Sequence, residues 1–290
     1  MVDSSSSSLG GVKICFYGAG SMAEAILRGL VEAKLTDPNQ ITVMNRQNTD
    51  RLLQLEQQYG IIPATTDDLK NEALTSASII ILGMKPKDAA NAIKVLKPLL
   101  RPEQLIISVI AGLSIDTIHQ LLERKQPIAR TMPNTSSTIG LGATGISYSD
   151  TVSSDQRELT LAIFNAVGIT AIVEEPQIEA VTGVSGSGPA YVYYLMEAMI
   201  KAGVQLGLSP EAAKELTVQT VRGAAEMVVS TGENPGDLRR KVTSPNGSTQ
   251  AAIEILDQFS FQEGINKAIL RCAERAQEMG ESIRAEAVQD

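Results

Sequence analysis

Over the first half of the chain, short apolar runs rich in β-branched residues alternate with helix-length amphipathic stretches. The runs cover residues 12–17, 41–44, 79–84 and 105–109, and helical periodicity follows each, beginning at Ser21, Thr49, Asp88 and Ser114. Strand alternating with helix is the pattern of βαβ units on a parallel sheet, and runs at 128–131, 144–148 and 170–173 extend that sheet. Between the last two, Ser153 and Gln156 stand at capping-box spacing and open a helix that Gly168 is expected to close. Beyond residue 173 only helical periodicity remains. One helix follows Ser187-Gly188-Pro189 and stops at Gly207, and a second opens at Ser209-Pro210 with an N-cap and a first-position proline. A short piece spans 236–241, another helix follows Thr249, and a last one follows Ser260, again with a capping-box spacing, to Glu263. The pattern predicts an α/β fold: an N-terminal parallel-sheet domain over 12–175 and an all-helical domain over 176–290.

Composition narrows the chemistry. The 290 residues include a single histidine, His119, so a zinc site built on several histidines cannot form, and any hydrolase triad would have to use that one residue. Lys and Arg total 25 against 33 for Asp and Glu, a net charge of −8, and only 3% of residues are aromatic; both argue against nucleic-acid binding. The longest apolar runs fall far short of a bilayer span, and the start Met1-Val2-Asp3 with Ser4 to Ser8 lacks the basic and apolar regions of a secretory signal. Residues 1–11 are expected to be a disordered Ser-rich tail, and the protein to be cytoplasmic, with Cys15 and Cys272 as reduced, buried thiols. The segment Tyr191 to Ile200 is apolar nearly all round a helix, which predicts its burial against a second copy of the chain.

The first run leads into Gly18-Ala19-Gly20-Ser21-Met22-Ala23, a Gly-x-Gly-x-x-Ala turn between a strand and a helix. Gly18 permits the tight turn, Gly20 admits a pyrophosphate to the backbone, and small Ala23 lets helix and strand pack closely; this is the Rossmann-type dinucleotide fingerprint. The second strand ends in Met44-Asn45-Arg46, without the carboxylate that usually accepts from the ribose 2′-OH of NAD. Asn45 and Arg46 instead suit a 2′-phosphate, so NADP(H) is favoured, with NAD(H) use as the alternative. Met84-Lys85-Pro86 and Ile110-Ala111 end the third and fourth strands and would flank the nicotinamide half, Lys85 lying in extended backbone because a proline follows it. Met132 and Pro133 have two readings, packing on a nicotinamide or forming a turn. In the helical half, Ser185-Gly186-Ser187-Gly188 and Ser244-Pro245-Asn246-Gly247-Ser248-Thr249 each set a glycine turn before a helix, a suitable cradle for a substrate carboxylate.

Taken together, the block 16–26, Met84-Lys85-Pro86, Arg130-Thr131-Met132-Pro133-Asn134, Ser185 to Tyr191 and Val242 to Thr249 resemble pyrroline-5-carboxylate reductase, in that family's order. The resemblance implies reduction of 1-pyrroline-5-carboxylate to L-proline with NAD(P)H, a dimer through the C-terminal helices, and in many members a ring of five dimers. It assigns Thr249 as the proton donor facing the imine nitrogen, and the backbone of Gly247 and Ser248, with Ser187, to the substrate. Asn246 departs from the pattern, standing where the family usually has a second glycine. Two rivals remain on the residues alone: another imine or β-hydroxyacid-type NADP reductase, and a catalytically inactive NADP-binding sensor. The β-hydroxyacid type places a lysine on the first long helix of its second domain, where this chain has only Lys201, far along it.

Overall fold

The computed structural model describes residues 9–288, so the serines at 4–8 lie outside the described residues. The chain forms two compact units. The first runs up to Ser187 and takes in the chain again from Leu270; the second is Gly188–Ile269. The first unit thus extends to Ser187, past the boundary expected at residue 176, and includes most of the last helix.

In the first unit the order is β1 (Ile14–Tyr17), α1 (Ser21–Glu32), β2 (Ile41–Met44), α2 (Thr49–Tyr59), β3 (Ile62–Ala64), α3 (Asp67–Ser76), β4 (Ile79–Leu82), α4 (Pro86–Leu96), β5 (Leu105–Ser108) and α5 (Ile115–Leu122). Then come β6 (Ile128–Met132), β7 (Gly142–Tyr148), α6 (Ser154–Asn165), β8 (Gly168–Ile172) and the single helical turn α7 (Ile178–Val181). The strands lie in the order β3-β2-β1-β4-β5-β6-β7-β8, parallel throughout except for the antiparallel β6–β7 pair. Order reverses between β1 and β4, which in an open α/β sheet opens a crevice at the carboxyl ends of those strands.

Alternation along each strand splits the core in two. Ile14, Phe16, Ile79, Ile81, Leu105 and Ile107 point to one face, covered by α1, α2 and α6. Cys15, Ile80, Leu82 and Ile106 point to the other, covered by α3, α4 and α5 and by Ile283 from the last helix. Both faces are dry, which is why the strands read as continuous apolar runs rather than alternating ones. Burial pushes the Cys15 thiol up to about 12, so it remains a protonated packing group, its Sγ 3.8 Å from Met44 Sδ.

Three local expectations shift. Leu9 is fully buried and its amide donates to the Leu35 carbonyl at 2.8 Å, so the chain is already held to the core at Leu9, ahead of the tail's expected end, while Gly10 and Gly11 stay exposed. The Ser153–Gln156 capping box forms. Gly168, however, does not cap that helix: it opens β8 at φ +152, where a Cβ would sit 2.0 Å from the Gly142 carbonyl oxygen. The sequence reading also passed over β3 and α3. β3 has three residues, one of them Pro63, tolerable because β3 is a sheet edge.

The second unit contains α8 (Gly188–Gln205), α9 (Pro210–Thr231), α10 (Pro235–Lys241), α11 (Ser248–Gln258) and the start of α12 (Phe261–Val288). Ser209 caps α9 through the Ala212 amide, and α9 packs on α8 where Gly203 faces Ala213. Large apolar side chains nevertheless stay open to solvent, among them Tyr194 at 78%, Leu206 at 87% and Phe259 at 81%. One copy of these helices leaves its apolar surface uncovered. Among the described residues no helix is long and apolar enough to cross a membrane.

Candidate functional site

The glycine turn is built by three strand ends. β1 stops at Tyr17, in register with Met44 of β2 and Leu82 of β4. The Gly18 amide donates to the Met44 carbonyl and the Gly83 amide to the Tyr17 carbonyl, both at 3.0 Å. Gly18 takes φ +128, and a Cβ there would lie 2.6 Å from the Gly83 oxygen. Gly20 is the N-cap of α1, and no side chain caps it. Around Gly20 the nearest heavy atom to an added Cβ would be the Gly83 oxygen at 3.9 Å, so the space over the first amides of α1 is open. Uncapped amides and the positive end of the helix dipole favour an anion, and a dinucleotide diphosphate fits this cradle. Ala23 is buried and within 3.5 Å of where a Gly83 Cβ would sit, the close helix–strand packing its size predicted.

Neighbouring strand ends supply the remaining expected residues. Asn45 Oδ1 accepts from the Gln47 amide at 3.3 Å, and the exposed Arg46 lies 3.5 Å from Asp88 of α4. Such a solvated pair is worth about 0–1 kcal/mol, so Arg46 is readily redirected to another anion. Lys85 has extended backbone and Pro86 opens α4, two residues ahead of the expected start. Met84 and Tyr17 pack half-buried against the second core face. Burial raises the Tyr17 phenol, with the Cys15 thiol adding to it and the Arg46 guanidinium opposing. Ile110 is buried, its amide bonded to Ser108 Oγ, and Ala111 follows half-exposed. Residues 18–22, 45–46, 84–86 and 110–111 thus all follow the carboxyl ends of four adjacent strands, β2, β1, β4 and β5.

The end of β6 and the residues after it contact the segment at 185–186. Met132 packs on the Gly186 backbone, and Asn134 donates to the Ser185 carbonyl at 3.0 Å while accepting from the Ala143 amide at 3.3 Å. The flexible turn expected at 185–188 is instead helical. α7 continues as a π-turn over Thr182–Gly186 into α8, and Ser185 Oγ bonds back to the Val181 carbonyl. Ser187 closes the π-turn and accepts from Cys272 Sγ at 3.1 Å. π-turns within helices concentrate at functional sites.

In the second unit, α11 starts at Ser248 rather than near Gln250, which places Thr249 in its first turn, half-buried. Gly247 is the N-cap without a capping side chain, as Gly20 is for α1. Asn246 adopts φ +59, a left-handed conformation that asparagine tolerates at low cost, and its amide donates to Gln250 Oε1 at 2.8 Å. Asn246 thus takes a positive φ of the kind a glycine adopts freely. His119 lies on α5, its Nε2 2.9 Å from the Gln126 carbonyl, outside both turns.

Two ion-pair clamps lie outside the roles that the sequence suggests. Buried Arg130 pairs with Glu175 at 3.2 Å and Glu179 at 2.6 Å, and Glu175 also accepts from the Ile115 amide, tying β6, α5 and α7 together. Arg51 of α2 reaches the glycine turn, donating to the Ala19 carbonyl at 3.3 Å and pairing with Glu24 of α1. A signal was available for Arg51: a cation in the first turn of a helix opposes the dipole and needs another partner.

Residues 175–279 match the family model described as pyrroline-5-carboxylate reductase dimerisation, and 13–112 match one described as NADP oxidoreductase, coenzyme F420-dependent. Pyrroline-5-carboxylate reductase 1 of Bacillus subtilis is 44% identical over 271 residues, covering 93% of this chain and 90% of its own. The solved pyrroline-5-carboxylate reductase of Coxiella burnetii superposes with a TM-score of 0.85 at 37% identity, over 92% of this chain and 98% of its own. The Plasmodium falciparum pyrroline carboxylate reductase, solved with NADP bound, gives 0.84 at 28% identity, over 93% and 98%.

Proposed function

The chain belongs to the pyrroline-5-carboxylate reductase family, and from that premise we propose how its residues divide the work of reducing 1-pyrroline-5-carboxylate to L-proline. The observation that carries the reading is the pair of helix starts capped by glycine with no side-chain bond, Gly20 before α1 and Gly247 before α11, each in a glycine-bearing turn of the family's sequence. NADPH, when bound, supplies a hydride to the C=N carbon. The amides of residues 18–22 hold its diphosphate, Asn45 and Arg46 its 2′-phosphate, and Met84, Lys85, Pro86, Ile110 and Ala111 line its nicotinamide half. Gly247 and Ser248 hold the substrate carboxylate through backbone N–H groups, and Ser187 contributes a hydroxyl. Thr249 gives its hydroxyl proton to the imine nitrogen as the carbon accepts the hydride, and recovers a proton from water. Holding two reactants in attack geometry can contribute roughly 7–11 kcal/mol of a barrier, and the scheme uses no imidazole. Lys201 stands near the end of α8, which disfavours a β-hydroxyacid-type mechanism.

The deciding experiment is spectrophotometric: oxidation of NADPH and of NADH with pyrroline-5-carboxylate. Turnover with NADPH is the expected result. Inactivity with both, in a protein that still binds NADPH, would leave the sensor reading in its place. Arg46→Ala should weaken NADPH by about ten- to a hundredfold, the loss of charge-assisted bonds, with NADH unchanged. Equal effects on the two, read by titration, would remove Arg46 from 2′-phosphate recognition.

The helices of residues 175–279 make the protein a homo-oligomer, and the open Tyr194, Leu206 and Phe259 are surfaces a second copy would cover. Assembly of the dimers into a decamer, and a cytoplasmic location, complete the proposal; mass measurement of the assembly in solution tests the first.

A further inference from the structure

Glu24 presents a problem to any diphosphate bound at the glycine turn. It sits in the first turn of α1, where a carboxylate is favourable to the bare helix but repels a second anion at the same amides. Arg51 answers it from α2. Its guanidinium pairs with Glu24 Oε2, its Nε donates to the Ala19 carbonyl at 3.3 Å, and Tyr59 donates to Glu24 Oε1 at 3.1 Å. Arg51 and Glu24 are each only 25% exposed, so the pair is shielded from solvent in part and holds one geometry. The Asn48 side chain, capping the Arg51 amide at 3.0 Å, fixes the helix start that carries it. We infer that Arg51 is a positioning residue for the dinucleotide: it neutralises Glu24 and holds the Ala19 carbonyl, so that the α1 amides meet the diphosphate without a competing carboxylate. The inference rests on the dinucleotide reading of this turn.

Because the diphosphate is common to both cofactors, the prediction separates from that for Arg46. Arg51→Gln should weaken NADPH and NADH alike, on the order of tenfold, since it leaves Glu24 charged at the helix start. Glu24→Gln alone should bind both at least as tightly as the unmodified protein, and the double variant E24Q/R51Q should regain much of what R51Q lost. Affinities by calorimetric titration, with melting temperatures alongside, read this without turnover. Unchanged binding in R51Q, a loss confined to NADPH, weaker binding in E24Q, or a double variant no tighter than R51Q each overturns the inference. If the unmodified protein bound neither cofactor, the dinucleotide reading itself would fail, a different result from any of these.

Discussion

Gly18→Ala is expected to abolish measurable dinucleotide binding and to lower the melting temperature by several degrees. The added Cβ would stand 2.6 Å from the Gly83 carbonyl oxygen and 2.7 Å from its carbon, closer than such contacts occur, and both atoms are backbone. No side-chain rotation relieves the overlap. At φ +128 the alanine would also occupy a region that L-residues avoid, at a cost of about 1–3 kcal/mol. β1 or β4 has to move, and with them the amides that meet the diphosphate. Gly20→Ala is the control: its Cβ approaches nothing nearer than 3.9 Å, so stability should hold while affinity falls because the methyl fills the space a diphosphate needs. Calorimetry for melting and titration with NADPH separate the two variants. A G18A protein that bound NADPH normally would show that the turn's backbone path is not what the cofactor reads.

Local signals survived well. The glycine turn, the Ser153 capping box, the Ser209 cap and the extended Lys85 are each written within a few adjacent positions, and each formed. β3 was passed over because three residues with a central proline carry no alternation to read. The glycines at 186 and 188 signal a turn over residues 185–188, whereas Asn134, Met132 and Cys272 hold the Thr182–Gly186 π-turn and Ser187 from elsewhere in the chain. The Arg130 and Arg51 clamps join residues far apart in sequence, which no periodicity records. The return of α12 to the sheet, with Ile283 in the second core face, was illegible for the same reason.

Thr249→Ala should lower kcat by roughly a hundredfold, the low end of what a positioned proton donor contributes, with KM little changed. The position makes the test clean. Thr249 lies in the first turn of α11, where alanine is a better helix former than threonine, and Gly247 rather than Thr249 is the N-cap, so the turn survives the change. The carboxylate cradle uses backbone amides, which the substitution keeps. What disappears is the hydroxyl, and Thr249→Ser should restore most of the rate while Thr249→Val, equal in shape, should not. The deficit also has a direction in pH. As pH falls, a growing share of the substrate arrives already protonated at nitrogen and needs no donor, so the gap between the T249A and unmodified enzymes should narrow toward acid and widen toward base. A kcat that is unchanged in T249A, or reduced by the same factor at every pH, would take proton donation away from this hydroxyl and leave the second glycine turn with carboxylate binding alone.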